Sequence, residues 1–156
     1  MGADSKFDLR KEFLPIIYNK NDTQNNTPGT KLRELRLKNN ITQKQLAEKT
    51  SISEITIMHV EQNKIDVPYY YWKKICDYFG VNHIKYLKLY TLKEDSIQDK
   101  LKKLRVYLGA KNWREVGEYL GYSEGFTYDL FTRYIPNANH LKVVNSALDK
   151  FKKTID

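Results

Sequence analysis

The sequence predicts an all-α fold, and three observations carry that prediction. Apolar residues recur at three- and four-residue intervals at Leu32 and Leu35, through Trp72, Ile75, Cys76 and Phe79, through Ile97, Leu101, Leu104 and Leu108, and through Leu141, Val144, Leu148 and Phe151. That period stacks them on one face of a helix, whereas a strand needs alternation. Between Thr42 and Glu61 lie two short helical runs, each preceded by a hydroxyl residue suited to cap a helix. The pattern of the first half also returns, at low identity, in the second.

Residues 1–29 read as an N-terminal extension. Within it Phe7 to Leu14 suits a short helix halted near Pro15, and residues 19–28 form a polar linker. Lys31 to Arg36 is the first helix of the body, with Leu32 and Leu35 inward. Thr42 and Ser53 then cap the two short helices. Ala47 is the small residue where their axes must approach, and Leu46, Ile52, Ile57 and Val60 supply the apolar contacts between them. Such a pair holds its second helix proud of the protein body. Pro68 precedes a helix around Trp72, and a short helix follows within Gly80 to Leu87.

From Thr30 to Leu89 these residues resemble the Cro/repressor-type (XRE) helix-turn-helix family. The resemblance implies a lambda-repressor-like five-helix domain over residues 30–91, with the helix 54–62 placed in a DNA major groove. It implies a structural ion pair between Arg36 and Glu61, and a phosphate contact from Gln43 at a helix N-terminus, where backbone N–H groups also favour an anion. Lys44, Asn63 and Lys64 are further backbone contacts under this reading. Ser53, Glu54, Ile55, Thr56 and His59 then form the face towards the bases. Ile55 lacks hydrogen-bonding groups and suits a thymine methyl, Glu54 accepts from a cytosine amino group, and His59 donates to a guanine or a phosphate. The plainer reading of this set is a solvated helix face. Two residues depart from the family, since Ser51 and Asn63 stand where glycine is usual.

The second unit, residues 92–156, is expected to be a divergent helix-turn-helix-like helical domain. Lys100 to Arg105 aligns with Lys31 to Arg36. With one inserted residue, Thr42 falls on Asn112, Leu46 on Val116, Ala47 on Gly117, Ser53 on Ser123 and Val60 on Leu130. Val67-Pro68 then matches Ile135-Pro136. Glu61 falls on Phe131, which removes the ion-pair partner of Arg105. Trp113, Arg114, Ser123, Glu124, Gly125, Tyr128, Asp129 and Arg133 form the matching surface, a second DNA site or a partner site. The alternative is that any two helical segments align once a gap is allowed. A glycine inside a short helix, as at Gly125, costs about 1 kcal/mol relative to alanine, an odd choice for a rigid reading head.

Composition narrows the class. With 156 residues, the chain suits one domain or two small ones, and a net charge of +8 with a pI near 9.4 favours a polyanionic partner. The single cysteine, Cys76, excludes an internal disulfide framework and falls on an apolar helix face. Neither a signal peptide nor a membrane span is apparent, so a cytoplasmic protein is expected. The three histidines are scattered without metal-ligand spacing, and no phosphate loop or nucleophile elbow is present; no enzyme, metal or cofactor is expected. The cluster Tyr69-Tyr70-Tyr71-Trp72 suits core and interface packing, with stacking on unpaired bases the alternative.

The expected partner is double-stranded DNA, bound by a homodimer or by a pseudo-dimer within one chain, with the second unit free to take a protein partner. The expected function is a bacterial or phage-type repressor. The rival is a protein-binding module on the same scaffold, such as an antitoxin, a phage-encoded inhibitor or a co-regulator.

Overall fold

The computed structural model describes residues 27–155, so the expectations for Phe7 to Leu14 and for the linker up to residue 26 lie outside the described residues. All regular structure among the described residues is helical, as the sequence predicts. The chain divides into two compact units after Asn82.

In the first unit α1 spans Pro28–Lys38, α2 Gln43–Thr50, α3 Glu54–Glu61 and α4 Tyr69–Phe79. Helix α1 starts inside the stretch read as linker. Thr27 accepts a hydrogen bond from Thr30 N and Pro28 occupies the first turn, where its missing N–H costs nothing. Gly29 packs so closely on the end of α3 that an added Cβ would lie 2.5 Å from the Val60 carbonyl oxygen. Helix α2 opens on a reciprocal cap: Gln45 N donates to Thr42 Oγ1 while Thr42 N donates to Gln45 Oε1. It ends at Ser51, which adopts the left-handed conformation with φ 58°. Leu32, Leu35, Leu46, Ile52, Ile57, Val60, Val67, Tyr69, Trp72, Ile75 and Cys76 are all buried and form the core of this unit.

Burial of Tyr69 and Trp72 supports the packing role of the aromatic cluster. Tyr70 and Tyr71 meet edge to face at 4.8 Å. Burial pushes the Cys76 thiol up to about 12, which makes it a core group and not a nucleophile at neutral pH.

In the second unit α5 spans His83–Tyr86, a 3-10 turn Leu89–Thr91, α6 Ile97–Leu108, α7 Trp113–Leu120, α8 Glu124–Thr132 and α9 Ala138–Ile155. Helix α6 packs against α7, α8 and α9, and Leu101, Leu104, Val116, Leu130, Val144 and Leu148 are at 0–1% exposure in these helices. The division after Asn82 falls upstream of the 91/92 boundary read from the sequence. Polar anchors account for it. His83 Nε2 lies 3.1 Å from Val106 O on α6. The buried Lys103 ammonium donates to Tyr90 O, Leu92 O and Glu94 Oε2, so its three donors close the end of the 3-10 turn onto α6.

Candidate nucleic-acid interface

The two short helices of the first unit are held by one polar cluster. Arg36 Nε donates to Glu61 Oε2 at 2.7 Å and Arg36 Nη2 to Glu61 Oε1 at 2.8 Å, with the Glu61 side chain only 3% exposed. Arg36 Nη1 also donates to Ile41 O, ahead of α2, and Gln43 Nε2 donates to Glu61 Oε1 at 3.2 Å. One buried carboxylate thus joins α1, α2 and α3. Its hydrogen bonds and charge raise the Arg36 guanidinium above its ordinary value against the opposing effect of burial.

In front of this cluster lies an open concavity of about 650 Å³, lined by Arg36, Leu37, Asn40, Ile41, Thr42, Gln43, Lys44 and Glu54. It brings together Gln43, Lys44 and Glu54, read from the sequence as DNA contacts, with Arg36 of the expected ion pair and the Thr42 cap. Leu37, Asn40 and Ile41 were missed. Asn40, left-handed at φ 53° just ahead of the Thr42 cap, carried a turn signal that could have found it.

On α3, Glu54 and Ile55 are exposed, Ile55 at 63%. Ser53 and Thr56 are engaged with each other. Thr56 N donates to Ser53 Oγ and the two hydroxyls lie 2.7 Å apart, so both serve the helix cap. His59 is half-buried in the last turn. Asn63 adopts φ 58°, as a residue in a glycine position must, and its Oδ1 accepts from Gly29 N at 3.1 Å. Its amide oxygen is therefore a brace for α1. Lys44 and Lys64 are exposed.

The second unit repeats several of these details with different chemistry. Asn112 caps α7 through Glu115 N, Ser123 caps α8 through Phe126 N, and Gly121 takes the left-handed place of Ser51. Arg105 Nη2 donates to Lys111 O, as Arg36 does to Ile41 O. At the places matching Gln43 and Glu61, however, stand Trp113 and Phe131, with rings 4.5 Å apart, and the Arg105 guanidinium lies 4.8 Å from the Trp113 ring. A cation–π contact and an aromatic pair thus stand where the first unit has Gln43 and Glu61.

Trp113, grouped with a candidate surface by the sequence, is 6% exposed in this stack and presents no surface to a partner. Arg114, Ser123, Glu124, Gly125, Tyr128 and Arg133 are exposed, while Asp129 pairs with Arg133 at 3.1 Å along α8. The match of Ile135 to Val67 does not extend to packing: Val67 is buried and Ile135 is 87% exposed. Helix α9 starts at Ala138, where Asn137 Oδ1 accepts from His140 N and His140 Nδ1 accepts from Asn137 N, whereas α4 starts directly after Pro68.

A family model described as a helix-turn-helix domain matches residues 29–92. Neither a curated protein nor a solved structure matches the chain. No helix among the described residues is long and apolar enough to cross a membrane, and none of their His, Cys, Asp and Glu side chains group to hold a metal ion.

Proposed function

We propose that this chain, carrying a helix-turn-helix domain over residues 29–92, is a sequence-specific DNA-binding transcriptional regulator of the XRE type, acting as a bacterial or phage-type repressor. The observation that carries this reading is the exposed first turn of α3, with Glu54 and Ile55, beside the concavity lined by Gln43, Lys44 and Arg36. Gln43 and Lys44 take the phosphate backbone there, and α3 enters the major groove. The hydrogen bond to Glu61 orients Gln43 before DNA arrives, which lowers the entropy cost of that contact. Lys64 adds a second backbone contact, with Asn63 beside it. His59 reaches a base or a phosphate.

The second unit is a divergent helix-turn-helix-like domain that serves dimerisation or a protein partner. Three features favour this over a second DNA reader. Trp113 is buried where Gln43 is available, Glu115 carries a carboxylate in the first turn of α7 where α2 has the neutral Gln45, and Gly125 replaces the exposed Ile55. A carboxylate at that turn repels the phosphate that a helix N-terminus otherwise attracts.

Binding-site selection from random duplex DNA, followed by titration at several salt concentrations, tests the reading. An enriched site with log K falling by about 0.9 per decade of salt for each phosphate contact supports it. No enriched site, with only weak salt-sensitive binding, overturns it in favour of a protein-binding module. Two chains on each recovered site support the assignment of the second unit, and one chain spanning both half-sites contradicts it.

A further inference from the structure

We infer that α8 is the contact through which two copies of this chain associate, its exposed face crossing the same face of the second copy antiparallel, about a two-fold axis between Tyr128 and Asp129. The inference rests on the reading of the second unit as a dimerisation domain and names its surface and its partner.

Most glycines among the described residues answer to their own fold. Gly80, Gly109 and Gly121 hold a positive φ, and an added Cβ at Gly29 or Gly117 would meet a carbonyl oxygen at 2.5 or 2.6 Å. Gly125 has neither reason. It lies inside α8, is exposed, and an added Cβ meets nothing within 4 Å. A glycine inside a helix costs stability relative to alanine, so the fold of the single chain gains nothing from it. What a missing side chain on an exposed helix face does provide is the close approach of a second backbone.

The rest of that face fits a copy of itself. The helical period places Gly125, Tyr128 and Thr132 along its centre, opposite the buried Thr127 and Leu130. Tyr128 is exposed, and Thr132 Oγ1 donates to Tyr128 O, so that hydroxyl is satisfied within the helix. The two ends carry opposite charges. Glu124 lies in the first turn, and Arg133 at the C-cap stays exposed while pairing with Asp129 at 3.1 Å. An antiparallel two-fold crossing sets Glu124 of each copy against Arg133 of the other and Gly125 against Thr132, with the two Tyr128 rings beside the axis. A parallel crossing would set like charges together. Tyr134 and Ile135, both exposed directly after α8, then come beside the start of α8 in the other copy and extend the apolar area. Nine residues make a helix only ~14 Å long, so the contact falls short of the ~800 Å² per partner of a standard interface. The dimer is accordingly weak, with Kd on the order of 10 μM.

The test follows the full chain, without DNA, by sedimentation equilibrium and light scattering at rising concentration. Glu124→Arg and Arg133→Glu each put two like-charge pairs into the contact and are expected to raise the dimer Kd about tenfold or more. An equimolar mixture of these two variants is expected to associate about as tightly as the parent chain, because every pair across the axis is again of opposite sign. Gly125→Leu is expected to weaken the dimer to a similar degree while raising the melting temperature of the dilute, dissociated chain. A glycine needed by its own fold would lower that temperature instead. All three positions are exposed, so circular dichroism should show an unchanged fold in each variant. Association that survives all three variants overturns the inference and leaves dimerisation through another surface standing. A mixture that stays as weak as its components overturns the antiparallel crossing. A chain that is monomeric up to about 0.5 mM overturns the dimerisation reading itself, and the second unit then takes a different protein.

Discussion

Arg36 and Glu61 lie 25 residues apart in sequence and meet through two parallel hydrogen bonds of 2.7 and 2.8 Å, closing α1 onto the end of α3. In the second unit the matching residues, Arg105 and Phe131, flank Trp113 instead. Two positions thus differ around an arginine common to both units: glutamine and glutamate in one, tryptophan and phenylalanine in the other. The coupling has a physical cause. A buried guanidinium requires either a carboxylate or a polarisable ring face, and a carboxylate left opposite a tryptophan would be desolvated with less hydrogen bonding to offset it.

Removing one partner of the first-unit pair leaves a charge in a nearly closed site. Glu61→Ala should lower the stability of the protein by about 3 kcal/mol in urea denaturation. The double variant Arg36→Met with Glu61→Leu should recover most of that loss, because packed apolar side chains need no hydration. A full-sized loss in the double variant would show that packing, and not the uncompensated charge, dominates at this junction.

Ser51, in the turn ahead of α3, and Gly117, inside α7, respond to opposite changes. Ser51 holds φ 58° with a side chain, so Ser51→Gly should stabilise the first unit by about 0.5–1 kcal/mol. Gly117 is confined: an added Cβ would lie 2.6 Å from both Tyr122 O and Thr127 Oγ1. Gly117→Ala should therefore destabilise the second unit by about 1–3 kcal/mol, although the first unit carries alanine at the matching place. Thermal melts of the two variants against the parent chain measure both.

Backbone contacts and base contacts separate by their effect on specificity. Replacing Gln43 and Lys44 together with alanine should weaken binding to all duplexes alike and flatten the salt dependence. Ile55→Ala should instead relax preference at one base pair, by about 1–3 kcal/mol. Equal losses on every sequence from Ile55→Ala would move the reading residue elsewhere on α3.

Trp113→Ala removes the ring between Arg105 and Phe131 and should cost the second unit about 3–5 kcal/mol. Monomer affinity for a single half-site, measured on the folded fraction, should not change. A specific loss of half-site binding would instead make α7 part of the DNA surface.

The pH dependence of stability follows from the buried thiol. Burial raises Cys76 from 9.0 to about 12, with the Asp77 charge adding and Lys73 opposing. Between those values the unfolded chain releases a proton that the folded chain retains, so stability falls as pH rises from about 9 to 12, at up to ~1.4 kcal/mol per pH unit for this group. Cys76→Ala should show a shallower decline over the same window in pH-dependent urea denaturation. An identical slope would assign the decline to other groups, such as the buried Tyr69, whose hydroxyl is also pushed up by burial.

What the sequence by itself determined is local. The caps at Thr42, Ser53, Asn112 and Ser123, the left-handed ends at Ser51 and Gly121 and the helical class all depend on groups within four residues of one another. Even the start of α1 was encoded locally, in the Thr27-Pro28 pair, though it was read as linker. The exposure of Glu54 and Ile55 likewise follows from the helical period once Ile57 and Val60 are assigned inward. Tertiary structure decided which partner each polar group takes. Gln43 meets Glu61, Asn63 meets Gly29, Lys103 gathers the carbonyls of Tyr90 and Leu92, and Trp113 is buried by Phe131. These contacts span roughly 11 to 34 residues and depend on the packing of whole helices, so hydrophobic period and capping signals carry no information about them. For the same reason the sequence does not show that His83 and Lys103 anchor residues 83–91 to α6, a stretch that the helix-turn-helix family model also includes.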